Sequence, residues 1–455
     1  MYLKQAVVEN NGPLRWIDVS LGFFENGCPK PLILVGGNGS GKTNLLSLIA
    51  DALFEAAAVH YDDVLPSQGF GRAWFRIVGG RVTTIGTAGG FSLLRFDDAG
   101  TARFYKEKGG SVDPNAATLR LPQEFQGQVN WPTEGAFKEF SIDDDRSRLM
   151  FNEGVYTYFP SNRSEIPHWL NRDVVPETEF DVVPRFSKRL RRPIYVDRAL
   201  DKFKQWMIGV ITDSRADVGI GFSNGTPELQ LYGNNNNSLL STQVLSICNK
   251  IIRAIMDDNQ VRFVWLGRKS PDKIAVARGQ EIVLPNLDAL SSGQSILLGM
   301  FGAILQYGDV SANGHALNLE NLEGICLIDE VDAHIHIELQ NKVLPNLMRM
   351  FPRIQFIVSS HSPIFVLGME KEYGPDGIRV LEMPNGIPVG AETYVEFGKA
   401  LEAMAATGAF TEKVVAETKK IGKPIIYVEG ETDAPYLICA ARVLGSGPID
   451  LSSPI

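Results

Sequence analysis

Cysteine is scarce in this chain, and the cysteines that occur stand far apart. They are Cys28, Cys248, Cys326 and Cys439, and no two of them form a CxxC pair. Neither a disulfide framework nor a zinc ribbon is supported, and a reducing cytoplasm fits best. The sequence also lacks an apolar run of about 18 residues and a basic-then-apolar N-terminal segment, so we expect no membrane span and no export.

An excess of positive charge is also missing. The chain has 44 Lys and Arg against 53 Asp and Glu, a net charge of −9, so attraction to nucleic acid needs a local patch. Hydrophobic residues at 44% and charged residues at 21% are typical of a globular protein with a normal core. A length of 455 residues predicts more than one domain.

Apolar periodicity indicates how the chain is organised. A buried strand at Leu32–Val35 precedes a glycine-rich loop and a helix, short alternating strands follow from about residue 72, and α/β signals return after residue 260. We predict an α/β fold in four parts. These are an N-terminal lobe (1–71), a β-rich and then mixed insertion (72–257), a C-terminal lobe (258–422) and the beginning of a further domain (423–455).

The sequence GGNGSGKT directly after the first of these strands fits the P-loop pattern in full. Its glycines let successive backbone N–H groups face a phosphate at the helix N-terminus. Lys42 is expected to reach the β- and γ-phosphates, and the Thr43 hydroxyl to bind Mg²⁺. We assign ATP binding to Gly36, Gly37, Asn38, Gly39, Ser40, Gly41, Lys42, Thr43 and Asn44.

A second motif is the apolar run ICLI, which ends in Asp329 and Glu330. Alone, acids at a strand end are often only a solvated terminus. With a P-loop in the same chain, Asp329 is placed to hold Mg²⁺ and Glu330 to polarise the attacking water.

A third motif, LSSGQ, begins an apolar helix and resembles the LSGGQ signature of ABC-type ATPases, with Ser292 in place of the first glycine. Serine hydroxyls and backbone N–H groups at a helix N-terminus can bind a γ-phosphate. The simpler alternative is a serine-rich helix cap with no further role. The residues of this motif are Ser291, Ser292, Gly293 and Gln294.

The motif SSHSP follows another buried strand and places His361 where an ABC-type enzyme has its switch histidine. The order of P-loop, signature, Asp-Glu and His matches that of an ABC head. This resemblance implies a dimer that sandwiches ATP, with Asp332 in the D-loop contacting the opposite head. His334 and His336 have no evident third ligand for a metal site.

The runs LIDEVDAHIHIELQ, SSHSP and VEGETD together resemble the OLD (overcoming lysogenisation defect) family, which joins an ABC-type, RecF/SMC-like head to a Toprim nuclease. The resemblance covers about residues 1–60 and 260–440. It implies metal or acid/base roles for Glu429 and Asp433. No Asp-x-Asp pair follows, so we expect either a continuation of the chain beyond residue 455 or, as the alternative, a vestigial docking element. Related ATPases of retron, Gabija-like and Septu-like anti-phage systems share the head motifs.

A basic cluster could neutralise phosphates of a nucleic acid, although it could equally be a solvated face or bind an acidic protein surface. Its members are Arg185, Lys188, Arg189, Arg191 and Arg192. Arg163 could reach a phosphate or a neighbouring head. The candidates for a Q-loop glutamine are Gln68, which comes first after the helix, and Gln123, Gln126 and Gln128.

The resemblance implies an ATP- and Mg²⁺-dependent head that forms homodimers or larger homo-oligomers. Head closure would gate a Toprim DNA endonuclease in anti-phage defence, with DNA or another nucleic acid as partner. The alternative is an ATPase sensor or scaffold that holds and releases a separate effector protein or a retron complex.

Overall fold

The computed structural model describes most of the first 390 residues. These are residues 1–62, 64, 83–163, 188–190, 192–215, 217–223, 226–232, 235–267, 269–312 and 316–390, with a few residues between 435 and 443. The chain divides into two compact units, Met1–Glu396 and Phe397–Ile455. Within the second unit the described residues are helical and lie between Pro435 and Val443.

Strands and helices alternate irregularly along the first unit. The strands are β1 (Tyr2–Asn11), β2 (Leu14–Ser20), β3 (Leu32–Val35), β4 (Gly89–Asp98), β5 (Thr101–Gly110), β6 (Phe137–Phe140), β7 (Val155–Phe159), β8 (Asp217–Ser223), β9 (Thr226–Tyr232), β10 (Val261–Trp265), β11 (Ile274–Arg278), β12 (Glu281–Leu284), β13 (Gly324–Ile328), β14 (Ile354–Ser359), β15 (Arg379–Glu382) and β16 (Ile387–Pro388). The helices are α1 (Lys42–Ala58), α2 (Pro114–Thr118), α3 (Asp144–Glu153), α4 (Ala199–Asp213), α5 (Asn235–Met256), α6 (Ser292–Ser311), α7 (Leu344–Arg349) and α8 (Pro363–Tyr373). A π-helical turn, Leu339–Val343, leads into α7.

A six-stranded sheet in the order β16-β15-β3-β14-β13-β7 forms the centre. Its strands are parallel except for β16. Strands β3, β7, β13 and β14 are buried along their whole length, as apolar strands covered on both faces must be. Ile328 of β13 pairs with Val358 of β14 and with Phe159 of β7, so these strands end at one level. The loops that follow them therefore meet at one edge.

A five-stranded antiparallel sheet, β2-β1-β4-β5-β6, packs on the other side of α1. Helix α1 contacts both sheets, and its apolar side chains share one core cluster with residues of each. Strands β4, β5 and β6 lie within the predicted insertion 72–257, yet β4 pairs directly with β1. Because β7 also joins the central sheet beside β13, strands β4 to β7 of that stretch complete the two sheets and do not form a separate insertion. The boundaries at residues 257 and 422 stay predictions.

The second face of the central sheet is covered by α6, whose Phe301 contacts Phe351 and Phe356 at centroid distances of 5.9 and 6.3 Å. Helices α4 and α5 pack on α6, followed by the three-stranded sheet β10-β11-β12. Within the described residues one segment, Ser238–Met256 of α5, is long and apolar enough to cross a membrane by length and composition. Of that segment 33% is buried inside the structure, including Ile251 and Ile255.

The α/β fold class predicted from the sequence is confirmed. The strands predicted before the P-loop, before Asp329 and before the SSHSP motif are β3, β13 and β14. The helices predicted after the P-loop and at LSSGQ are α1 and α6.

Candidate ATP site at the edge of the central sheet

The P-loop lies between the end of β3 and the start of α1. Gly36 and Gly41 have φ values of +130° and +93°, which only glycine adopts without strain. A Cβ at position 36 would also lie 2.7 Å from the Met383 carbonyl oxygen. The buried Lys42 ammonium donates to the carbonyl oxygens of Gly36 at 2.7 Å and Gly37 at 3.1 Å. The loop therefore has the tight curl that the motif predicts.

Ser40 offers a test of whether the loop fits a phosphate. Its Oγ is buried and has no hydrogen-bond partner within the described part of the chain. A buried hydroxyl without a partner is costly, at about 1–3 kcal/mol, unless a bound group satisfies it. Gly37 and Gly39 are exposed, with open space where a Cβ would stand. A phosphate oxygen beside the loop would satisfy Ser40, so the loop residues fit a phosphate.

Thr43 and Asp329 are brought together at the sheet edge. The Thr43 hydroxyl donates to the Asp329 carboxylate, with Oγ1 3.1 Å from Oδ1 and 2.9 Å from Oδ2. Asp329 is buried, and its Oδ1 also accepts a hydrogen bond of 2.6 Å from the Ser359 hydroxyl. Hydroxyl and carboxylate oxygens are the hard ligands that Mg²⁺ prefers. Thr43 and Asp329 are therefore suited to hold this ion together.

Ser359 is a site residue that the sequence reasoning missed. It ends β14, and its Oγ accepts a hydrogen bond of 2.7 Å from the backbone N–H of Glu330. The same hydroxyl donates to Asp329, so one buried side chain holds both acidic positions. The sequence feature that could have indicated Ser359 is its position at the end of a buried strand, next to the parallel strand that precedes Asp329 and Glu330.

Glu330 follows β13 in a left-handed backbone conformation with φ +48°. Such a conformation costs a non-glycine residue about 1–3 kcal/mol and persists only where surrounding contacts hold it. The carboxylate is half-buried at the edge of the sheet. Backbone strain of this kind is common at active sites, and here it occurs at the residue predicted to act as general base.

Arg163 makes some of the contacts that hold the Glu330 backbone in this conformation. Its guanidinium is buried and donates to the carbonyl oxygens of Asp329 at 2.6 Å, Glu330 at 2.9 Å and Pro160 at 3.1 Å. Burial lowers the pKa of Arg163, and the negative charges of Asp332, Asp329 and Glu330 oppose that shift. The expectation that Arg163 reaches a phosphate or another head is therefore replaced by a role beneath the acidic pair of its own chain.

The signature motif begins α6 with a capping box. Ser291 is the N-cap, and its side chain accepts from the Gln294 backbone N–H while Gln294 Oε1 accepts from the Ser291 N–H at 3.1 Å. The cap predicted as the simpler alternative is thus present. Ser292 is exposed, and N–H groups in the first helical turn have no partner within the helix. Capping and anion binding are therefore compatible at this helix end.

Asp332, the predicted D-loop residue, contacts the loop that carries the predicted switch histidine. Its Oδ1 accepts a hydrogen bond of 3.2 Å from the His361 backbone N–H. Ser360 in the same loop donates its N–H at 3.0 Å to the carbonyl of Leu34, which lies in β3 just before the P-loop. The His361 side chain is half-buried. The structure thus brings the loops after β3, β7, β13 and β14 to one site.

The predicted basic cluster divides into residues of different kinds. Arg192 is buried and donates to the carbonyl oxygens of Tyr307 at 2.7 Å, Asn152 at 2.6 Å and Gly154 at 3.4 Å, so its assignment as a nucleic-acid contact is corrected to a structural one. Lys188 and Arg189 are exposed. Arg185 and Arg191 lie outside the described residues.

Several other predicted positions also lie outside the described residues, namely Glu429, Asp433 and Gln68. Gln123 and Gln126 flank Phe125, which packs in a small cluster with Val7 and Leu93. Because successive strand residues face opposite sides, this cluster lies on the face of the five-stranded sheet opposite α1. The structure therefore gives these glutamines no direct link to the P-loop helix.

The profile of the family described as "AAA domain, putative AbiEii toxin, Type IV TA system" matches residues 32–367. This chain belongs to that family. The match runs from β3 into α8, so it includes the P-loop, the signature motif, the acidic pair and the His361 loop.

Three curated proteins are similar to parts of the chain. The "Retron Vc95 probable ATPase" of Vibrio cholerae serotype O1 biovar El Tor is 29% identical over 164 residues, 35% of this chain and 30% of that protein. The "Retron Ec83 probable ATPase" of Escherichia coli is 38% identical over 74 residues, 16% and 14% of the two chains. The "Septu protein PtuA" of Bacillus thuringiensis is 31% identical over 176 residues, 32% and 44%. The chain thus matches less than half the length of each relative.

Two solved structures are similar at low scores. One is an SMC head bound to the C-winged helix domain of ScpA, with TM-score 0.43, 10% identity and coverage of 86% of this chain and 99% of that chain. The other is an SMC head domain from Thermotoga maritima, with TM-score 0.40, 13% identity and coverage of 86% and 98%. The family assignment rests on the profile match.

Proposed function

We propose that this chain binds and hydrolyses ATP with Mg²⁺, as the ATPase of a bacterial anti-phage defence system. The observation that carries the proposal is the direct contact of Thr43 with Asp329, 2.9 Å apart, at the end of a complete P-loop. Phosphate-binding and metal-binding groups that lie far apart in sequence thereby meet at one sheet edge. The family assignment and the names of the curated relatives agree with this reading.

Each residue of the site has a role in the proposed reaction. Lys42 and the P-loop N–H groups bind the phosphates, and the Ser40 hydroxyl gains a partner there. Thr43 and Asp329 would hold Mg²⁺, which neutralises charge on the phosphate oxygens. Glu330 orients the attacking water and accepts its proton. His361 acts from the neighbouring loop on the γ-phosphate side.

A finer part of the proposal concerns a second copy of the chain. Ser292 and the first-turn N–H groups of α6 are suited to meet the γ-phosphate of ATP bound by a partner head. A homodimer closed by ATP follows from this arrangement. Light scattering of the Glu330→Gln variant with and without ATP and Mg²⁺ tests it. A monomer under both conditions excludes ATP-driven dimerisation, and Ser292→Glu should prevent the dimer without removing ATP binding.

ATP hydrolysis would drive one of two processes. The VEGETD motif supports gating of a Toprim nuclease with Glu429 and Asp433 in its site. The names of the relatives, two retron ATPases and PtuA, support an ATPase that holds and releases a separate defence component. Mg²⁺-dependent plasmid nicking that Glu429→Ala abolishes favours the nuclease. Full ATPase activity without nicking favours the scaffold.

The decisive experiment for the ATPase itself measures ATP binding and phosphate release. Lys42→Ala removes charge-assisted hydrogen bonds of about 1.5–3 kcal/mol, so ATP affinity should fall about ten- to hundredfold. The exposed Lys250 provides a matched control, and Lys250→Ala should leave both quantities unchanged. Equal ATP binding by Lys42→Ala and the wild type contradicts the proposed site.

A further inference from the structure

The segment between Glu330 and the π-helical turn is held by a side chain that the proposed reaction does not include. Gln340 lies inside that turn, and its Nε2 donates to the carbonyl oxygens of Ile335 at 2.7 Å and Asp332 at 3.2 Å. Its backbone N–H donates to the His336 carbonyl at 3.0 Å. One amide therefore bridges the Asp332 and Ile335 carbonyls of an irregular segment, and the Asp332 carbonyl also accepts from the Ile335 N–H at 3.2 Å.

The position of Gln340 is costly for the fold alone. The side chain is 8% exposed, and its Oε1 is buried without a hydrogen-bond partner within the described residues. A buried amide with one end unsatisfied destabilises the folded state. A π-helical turn adds a residue that redirects side chains, and such turns are frequent at functional sites. A site function would explain why a glutamine occupies this position.

The segment held by Gln340 carries the chemistry of the site. It begins at the strained Glu330 and includes His334, which has φ +61°. Asp332 presents its carbonyl to Gln340 and its carboxylate to the His361 N–H at 3.2 Å. Movement of the Asp332 backbone would therefore change both the Glu330 turn and the His361 loop.

The same segment also supports the signature helix. A Cβ at Gly293 would lie 3.2 Å from the His334 carbonyl oxygen and 3.3 Å from the Ile335 Cα. The signature glycine thus lies directly against the backbone that Gln340 binds. Gln340 is linked by contacts to the general base, the histidine loop and the signature motif.

We propose that Gln340 is a positioning residue for ATP hydrolysis, holding the 330–335 segment so that Glu330 and His361 are aligned at the γ-phosphate. This inference rests on the proposed ATPase function. In this role Gln340 acts through the 330–335 segment and not on the nucleotide itself, so its loss should reduce kcat and leave ATP affinity nearly unchanged. Misalignment of reacting groups by about an ångström costs up to roughly 100-fold in rate.

Gln340→Leu and Gln340→Glu, made in the full chain, test this role. The matched control is Gln355→Leu, since Gln355 is also buried. Its Nε2 donates to the Leu3 carbonyl at 2.8 Å, and its Oε1 accepts from the Leu3 N–H at 2.8 Å. We expect Gln340→Leu to lower kcat about ten- to hundredfold with the Kd of a fluorescent ATP analogue within about threefold. Gln355→Leu should lower thermal stability but keep kcat within about twofold of the wild type.

The Gln340→Glu variant adds a pH readout that a purely structural role would not produce. A protonated carboxyl can donate one hydrogen bond to a carbonyl, whereas a carboxylate cannot donate any. Its kcat relative to the wild type at the same pH should therefore rise as pH falls. If Gln340→Leu does not fold, as judged by circular dichroism, this profile alone decides.

The outcomes separate the two proposals. A wild-type chain that releases no phosphate contradicts the ATPase function. An active wild type with unchanged kcat in Gln340→Leu, or a kcat loss equal to that of Gln355→Leu, overturns the positioning role only. A flat relative pH profile for Gln340→Glu overturns it as well.

Discussion

The Thr43 hydroxyl donates to the Asp329 carboxylate across 286 positions of sequence, at 2.9 Å from Oδ2. The contact exists because β3 and β13 are separated by β14 alone in the central sheet and end at the same edge. It joins the start of α1 to the end of a buried strand. The two motifs that the sequence shows far apart therefore form one site.

Ser359→Ala should weaken both the fold and the reaction. The substitution leaves the Glu330 N–H without its acceptor and removes the donor to the buried Asp329, at a cost of about 1–3 kcal/mol. Urea unfolding measures this cost, and phosphate release should fall in parallel. Ser47→Ala is the control, because the Ser47 side chain is also buried and donates to the Asn44 carbonyl of its own helix. Unchanged phosphate release in Ser359→Ala would remove Ser359 from the site.

Arg163→Met should lower kcat more than a substitution of a buried arginine away from the site that destabilises the fold to a similar extent. It leaves the carbonyls of Asp329 and Glu330 without their buried donor beneath the strained turn. Arg192→Met is matched to it, since Arg192 also donates to three backbone carbonyls but lies away from the acidic pair. Both variants should lose a few kcal/mol of stability. Equal kcat values in the two folded variants would show that Arg163 only stabilises the fold.

Asp309→Asn should stabilise the protein at neutral pH. Burial raises the pKa of Asp309 in α6, a hydrogen bond of 3.1 Å from Trp206 Nε1 opposes that shift, and the charge of Asp213 adds a smaller increase. Because the folded state holds this proton more tightly than the unfolded state, the wild type loses stability as pH rises through the interval between the two pKa values. Asparagine keeps an acceptor for Trp206 without the buried charge.

Chemical denaturation between about pH 4 and pH 8 measures this effect. The stability of Asp309→Asn should exceed that of the wild type at neutral pH, and the difference should shrink as pH falls. Asp376→Asn is the control, since Asp376 is exposed and should show no such dependence. A difference independent of pH would contradict the assigned cause.

The parts of the fold predicted from the sequence are those with strong local patterns. Strands β3 and β13 are continuous apolar runs, and β14 is apolar except for Gln355 and Ser359. Helix α6 begins with a serine three residues before a glutamine that completes its capping box. The P-loop and the Asp329 position follow from the same local signals. Strands that are buried on both faces have mostly apolar sequences, so such segments can be predicted as buried strands from the sequence.

The supporting residues could not be predicted, because their roles depend on contacts between distant segments. Arg163 meets the Asp329 carbonyl across 166 positions, and nothing in its local sequence indicates that pairing. Strand β7 has a sequence rich in tyrosine and phenylalanine, and its place beside β13 was not predicted. The pairing of β4 with β1 likewise depends on how the two sheets enclose α1.

The most direct test of the account is ATP turnover by Glu330→Gln. This variant keeps the shape of the side chain but cannot accept a proton from water, which typically costs about 10²–10⁴-fold in rate. We predict Mg²⁺-dependent phosphate release by the wild type, loss of release in Glu330→Gln, and retained ATP affinity, with Glu338→Gln at an exposed neighbouring position behaving as the wild type. Hydrolysis by Glu330→Gln at the wild-type rate would contradict the assignment of Glu330 and of the site built around it.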